Sequence, residues 1–124
     1  MSTTKLAENT AVLDRELNKQ ILKGDILGAF DRYYADDVVM QENSAEPTRG
    51  KAENRKREEA FVASIEQFHG AKLLSSAVEG DISFSEWELD ATYKGAGRFV
   101  LAQAAVRRWK DGKVLNERFY YSKG

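Results

Sequence analysis

Glu42 is the residue of this chain best placed to do chemistry. It closes the stretch Tyr34-Ala35-Asp36-Asp37-Val38-Val39-Met40-Gln41-Glu42-Asn43, where a short apolar run stops. A carboxylate carried to the mouth of an apolar pocket loses water, and that loss lifts its pKa toward general-base values. The plain alternative is a solvated residue at the start of a loop. His69 is the second catalytic candidate, because imidazole titrates near neutrality. It lies between Phe68 and Gly70, at the expected end of a helix, where the helix dipole alone would favour a protonated ring. Gln103, Arg107 and Glu117 could orient a ligand carbonyl or carboxylate, or Arg107 and Glu117 could pair with one another. Tyr34, Met40, Trp87, Phe119 and Tyr121 are candidates for the ligand-binding wall, and aromatic residues serve equally well as ordinary core.

Composition narrows the chemistry. The chain has 124 residues, one histidine and no cysteine. Disulfides, thiol catalysis and thiolate metal sites are therefore excluded, and so is a multi-histidine metal centre within one chain. Neither a metal nor another cofactor is expected. A net charge of -1 gives no general attraction to nucleic acid or to anionic membrane. Arg49, Lys51, Arg55, Lys56 and Arg57 form a basic cluster, offset locally by Glu53, Glu58 and Glu59. It reads as a solvated face more readily than as an anion site. Gly95-Ala96-Gly97 lies in a hairpin and does not open a helix, so it is not a phosphate-binding motif. No run approaches the roughly 20 apolar residues of a membrane span. No apolar signal core is expected near the start, and the lack of cysteines fits the cytoplasm.

The elements that must position these residues follow from periodicity. Leu6, Thr10, Leu13, Leu17 and Ile21 recur at helical spacing. Gly24 is a natural stop and Asp25 a natural N-cap for a short second helix with Leu27, Phe30 and Tyr34 as its stripe. Val38 to Glu42 reads as a short strand and 43–50 as a loop holding the only proline, Pro47. A third helix is expected over 51–68, burying Phe61, Ile65 and Phe68. Four antiparallel strands follow, near 71–79, 82–94, 97–110 and 113–122, divided by Gly80-Asp81, Gly95-Ala96-Gly97 and Asp111-Gly112. A single α+β domain over 1–124 results, with a curved antiparallel sheet wrapped around a long helix and two N-terminal helices.

At this point the chain resembles the nuclear transport factor 2-like superfamily, and its SnoaL-like branch in particular. Gly24-Asp25, Tyr34-Ala35-Asp36-Asp37 and Asp111-Gly112-Lys113-Val114 carry the resemblance together with the element order. Ketosteroid isomerase and scytalone dehydratase share the fold. The resemblance implies a cone-shaped pocket, with Glu42 at the position of the isomerase base and Glu46-Pro47 just beyond it. It also places the isomerase's two oxyanion donors at Leu17 and Ala105, neither of which can donate a hydrogen bond. Steroid isomerisation by that mechanism is therefore rejected. The same comparison turns Gln103, Ala105 and Arg107, and Glu117, Phe119 and Tyr121, toward the pocket.

Two readings remain open on these grounds. The first is a cofactor-independent isomerase, dehydratase or cyclase acting on a small, mostly apolar molecule, with Glu42 as base. The second is a non-catalytic ligand-binding or dimerisation module. Strand 97–110 is apolar on both faces, which suggests a homodimer through the outer face of the sheet.

Overall fold

The computed structural model describes residues 3–122, with side chains from Lys5 to Ser122. Three helices, α1 (Thr3–Leu22), α2 (Ile26–Tyr33) and α3 (Lys51–Ser64), pack on one curled sheet. Its strands are β1 (Tyr34–Glu42), β2 (Thr48–Arg49), β3 (Ile65–Glu79), β4 (Ile82–Tyr93), β5 (Gly97–Lys110) and β6 (Lys113–Tyr120). They lie in the order β2-β1-β6-β5-β4-β3. The β3–β4, β4–β5 and β5–β6 pairs are antiparallel, as their tight turns require. β1 runs parallel to β6, so the sheet is mixed rather than wholly antiparallel. Register shifts in β3, and others between Tyr34 and Val39 and between Arg108 and Trp109, mark irregular pairing. Such bulges add bend and twist, which helps a long sheet to curl.

The first two helices form for the reasons their sequence suggests. Gly24 takes a φ of +88°, which permits the sharp exit from α1. Asp25 then accepts a hydrogen bond from the Gly28 amide at 3.0 Å, capping α2. The buried face of α1 is more polar than its apolar spacing suggests. Leu17 is fully buried, but Thr10, Asp14 and Asn18 are buried beside it, while Leu6 is exposed.

The third helix is shorter than expected. It ends at Ser64, and Ile65 already pairs with Tyr93 at the start of β3. The 61/65/68 spacing fits a helix, but residues from 65 onward find a longer partner in β4 and extend against it. The backbone helps: the Lys94 amide donates to Ser64 O at 2.8 Å, and Ser64 Oγ donates back to Phe61 O at 2.6 Å. Phe68 is consequently an exposed strand residue rather than core. β1 likewise begins at Tyr34, directly after α2 and four residues before the expected start.

The main apolar core joins Leu17, Phe30, Tyr33, Val38, Trp109 and Val114. It fills the end of the sheet where β1, β5 and β6 meet the first two helices. The other end stays open. Among the described residues, no helix is long and apolar enough to cross a membrane.

Candidate active site

The open end of the curled sheet encloses a cavity of about 600 Å³. That is within the usual range for small-molecule sites, about 300–1,000 Å³. Strand alternation supplies its wall: Trp87, Leu89 and Tyr93 point inward from β4, and Leu101, Gln103 and Arg107 from β5. Glu117 and Phe119 come from β6, Met40 and Glu42 from β1, and Tyr121 from the segment that follows β6. Helix α3 lies across this wall and contributes Arg57, Glu58 and Phe61. Tyr34, Met40, Glu42, Trp87, Gln103, Arg107, Glu117, Phe119 and Tyr121 thus meet around one space.

His69 lies elsewhere. With α3 ending at Ser64, this residue sits within β3, and its Nε2 is 2.7 Å from Thr92 Oγ1. It is not part of the cavity lining. The helix-end position expected for it does not exist.

The cavity floor is a buried polar network. Arg107 is 2% exposed and Glu117 1%. Arg107 Nε donates to Glu117 Oε2 at 2.6 Å, and its Nη1 donates to Asp14 Oδ1 at 2.8 Å and to Asn18 Oδ1 at 2.6 Å. Ser83 Oγ donates to Asp14 Oδ1 at 2.7 Å, and Trp109 Nε1 donates to Ser83 Oγ at 3.0 Å. Tyr34 completes the chain, its hydroxyl donating to Glu117 Oε1 at 2.5 Å. Burial works against the Arg107 charge, but Glu117, Tyr34 and Asp14 outweigh it and hold the guanidinium pKa above its ordinary value. Burial, with the Glu117 charge adding to it, raises the Tyr34 phenol well above its ordinary value and keeps it a donor. Of the two roles open to Arg107 and Glu117, pairing with one another is the one the geometry realises.

The carboxylates nearer the mouth differ sharply. Glu42 Oε2 accepts from Arg57 Nη2 at 2.8 Å, and its side chain is 43% exposed. Its charge is met by the Arg57 guanidinium and by the Tyr121 hydroxyl. Glu58, half-buried on α3, makes no hydrogen bond or ion pair among the described residues. Burial pushes its carboxyl up to about 7, with the charges of Glu117 and Glu42 adding to the effect and Arg57 opposing it. A carboxyl half-ionised near neutrality can both take and return a proton.

Sequence reasoning passed over Glu58 as a mere offset to the basic cluster. The signal was present in the helical spacing of Asn54, Glu58 and Phe61, which share one face. Asn54 anchors that face, its Nδ2 reaching Thr48 O and Gly50 O at 2.9 Å each and Val38 O at 3.3 Å. The basic cluster is largely paired: Arg55 with Asp31 at 2.8 Å, Lys56 with Glu53 at 3.3 Å, and Arg57 with Glu42.

Tyr93 is a second unforeseen member. Its ring stacks on Phe99 with centroids 4.4 Å apart, and its buried hydroxyl has no hydrogen-bond partner among the described residues. Leu17 and Ala105 are both buried, and neither lines the cavity. The donors missing at those positions are not replaced there. No group of three or more histidine, aspartate or glutamate side chains is placed to hold a metal ion among the described residues.

Comparison with known proteins follows the same outline. The family model of the SnoaL-like domain matches residues 8–121. A Mesorhizobium loti protein, named as a candidate SnoaL-like polyketide cyclase with carbohydrate phosphatase given in brackets, superposes with a TM-score of 0.81 at 28% identity. The match covers 90% of this chain and 97% of that one. A nuclear transport factor 2-like protein of unknown function from Burkholderia xenovorans gives a TM-score of 0.75 at 18% identity, over 96% and 87% of the two chains. A hypothetical protein of Catenulispora acidiphila with a ketosteroid isomerase-like fold, in complex with trimethylamine, gives 0.68 at 18% identity, over 78% and 75%. At that identity the last two speak to fold alone. No curated protein matches the sequence.

Proposed function

The chain belongs to the SnoaL-like domain family, and on that premise we propose that its cavity takes up a small, mostly apolar organic molecule and moves a proton on it, as an isomerase, dehydratase or cyclase does. One observation carries this reading: Glu58, a carboxyl with no ion pair among the described residues and a pKa near 7, opens into a cavity walled by aromatic and aliphatic side chains. Glu58 accepts and returns the proton. Glu42, held by Arg57, is an anion at the cavity whose charge makes the Glu58 carboxylate more basic. The Tyr93 hydroxyl and the Gln103 amide are the donors available to a polar atom of the ligand. The name of the Mesorhizobium relative, a polyketide cyclase, fits this reaction class.

A direct test needs no knowledge of the natural substrate. The bicyclic ketone 2-tetralone exchanges its α-hydrogens with D2O through an enolate, and NMR reads the exchange. The protein should accelerate that exchange by about a hundredfold or more, the usual worth of a positioned general base. Glu58→Gln should remove most of the acceleration, and Leu101→Trp should remove it by filling the cavity. Exchange at the buffer rate with the unaltered protein, or full exchange with Glu58→Gln, would sink the reading.

The absence of donors at Leu17 and Ala105 favours a second reading, a carrier that binds without turnover. That reading predicts binding of the ketone with no exchange. We also propose that two copies pair through the outer face of the sheet. Val100, Ala102, Ala104 and Val106 line that face of β5, with Phe84 paired to Val106 on one side and Tyr120 to Ala104 on the other. Phe84, Val100 and Tyr120 are each more than 40% exposed, leaving a continuous apolar strip.

A further inference from the structure

We infer that the ligand carries a positive charge: the cavity is built for a protonated amine on an apolar body, with Glu58 as its counter-ion. This rests on the reading of the cavity as a small-molecule site, and it concerns the ligand's charge rather than the reaction.

Asp14 from α1, Glu42 from β1, Glu58 from α3 and Glu117 from β6 surround the cavity and its floor. Among the described residues, Arg57 from α3 and Arg107 from β5 are the cations of this space, and no lysine lines it. Arg57 is engaged by Glu42 and Arg107 by two carboxylates, Asp14 and Glu117. One negative charge is thus left over in the floor, and Glu58 adds another when it ionises. Tyr34, Tyr93 and Tyr121, the other titratable groups of the lining, are neutral at physiological pH, their phenols all raised above the ordinary value, chiefly by burial.

Burial opposes any charge in this space, but the Glu117 and Glu42 charges that add to its effect on Glu58 attract a cation placed beside them. The walls suit such a guest. Tyr34, Phe61, Trp87, Tyr93, Phe119 and Tyr121 supply aromatic rings, whose faces attract ammonium groups. An anionic ligand would meet the same residues with no free guanidinium to receive it. Once bound, the ammonium would favour the ionised form of Glu58, whose proton passes to the solvent. A cationic ligand therefore converts this carboxyl into the carboxylate that general-base chemistry requires.

Three probes on one bicyclic frame test the inference: 2-aminotetralin, 2-hydroxytetralin and tetralin-2-carboxylate, measured by titration calorimetry at pH 8. The amine should bind about tenfold or more tighter than the alcohol, and the carboxylate weakest of the three. Glu58→Gln should bring the amine down to about the level of the alcohol. At pH 6.5, amine binding to the unaltered protein should release a proton, seen as a heat that depends on the buffer, while alcohol binding should not. This last measurement needs no variant. Equal affinities for amine and alcohol, or a preference for the carboxylate, would overturn the inference and leave the cavity reading standing. Failure of all three to bind would overturn both.

Discussion

Arg107 Nε lies 2.6 Å from Glu117 Oε2, and both side chains are sealed from solvent. Formation of a buried pair costs desolvation of both ions, so its worth shows mainly when one partner is lost. Arg107→Met would leave Glu117 and Asp14 charged and buried with no cation between them. It should lower unfolding free energy by about 3–5 kcal/mol at pH 8. The loss should shrink at pH 4, where carboxylates can take up protons instead. Denaturant midpoints at the two pH values check both points. Replacing Asp14, Arg107 and Glu117 together by apolar residues should recover part of the loss.

Burial holds the Glu58 pKa above its ordinary value, with the Glu117 and Glu42 charges adding to it. The folded protein holds this proton up to a pH of about 7, while the unfolded chain releases it near 4.5. Between those values folding takes up a proton, so stability falls as pH rises. The full cost at pH 8 is at most about 3–4 kcal/mol, following about 1.4 kcal/mol per pKa unit. Glu58→Gln removes it. The variant should match the parent in thermal melts at pH 4 and exceed it at pH 8. A parent whose stability does not fall between pH 5 and 8 relative to the variant would contradict the assignment.

Tyr93→Phe should separate stability from binding. A buried hydroxyl without a partner costs about 1–3 kcal/mol of desolvation. Its removal should stabilise the ligand-free protein by about 1 kcal/mol and weaken binding of 2-tetralone severalfold. Chemical denaturation and titration calorimetry read the two effects. Destabilisation by this substitution would mean that the hydroxyl has a partner in solution.

The outer face of the sheet gives a prediction about assembly. Sedimentation at micromolar concentration should show a dimer. Val100→Glu and Phe84→Glu should each shift it toward monomer with little change in the circular dichroism spectrum. A monomeric parent would remove the proposal.

The cavity was legible in the sequence where strands carry it. Alternation along β5 and β6 turned Gln103, Arg107, Glu117 and Phe119 inward, since a strand bonded on both edges has no freedom to rotate its faces. It was least legible where helix and strand compete. Phe61, Ile65 and Phe68 fit helical spacing, and only the pairing partner Tyr93, distant in sequence, decides that Ile65 extends. His69 lost its expected position for the same reason. Charge burial was equally hidden. Nothing near Asp14 and Asn18 in the sequence marks them as buried, and only Arg107, about ninety residues later, gives them a reason to point inward. Glu58 passed as surface charge because its environment is set by Glu42 and Glu117 on two separate strands.

β6 sits between β1 and β5, with Met40 beside Glu117 on one edge and Arg107 beside Glu117 on the other. A nascent chain can therefore assemble β3, β4 and β5 as successive hairpins while β1 and β2 wait with an unpaired edge. The sheet is joined across β6 only after residues 113–120 have been synthesised, and the β1–β6 pairing links segments about eighty residues apart. Such distant pairings form slowly. Until then Asp14 and Arg107 lack Glu117, and the exposed edge of β1 is open to pairing with another chain. Early release of a chain that stops short of β6 should therefore yield aggregates rather than a smaller folded protein.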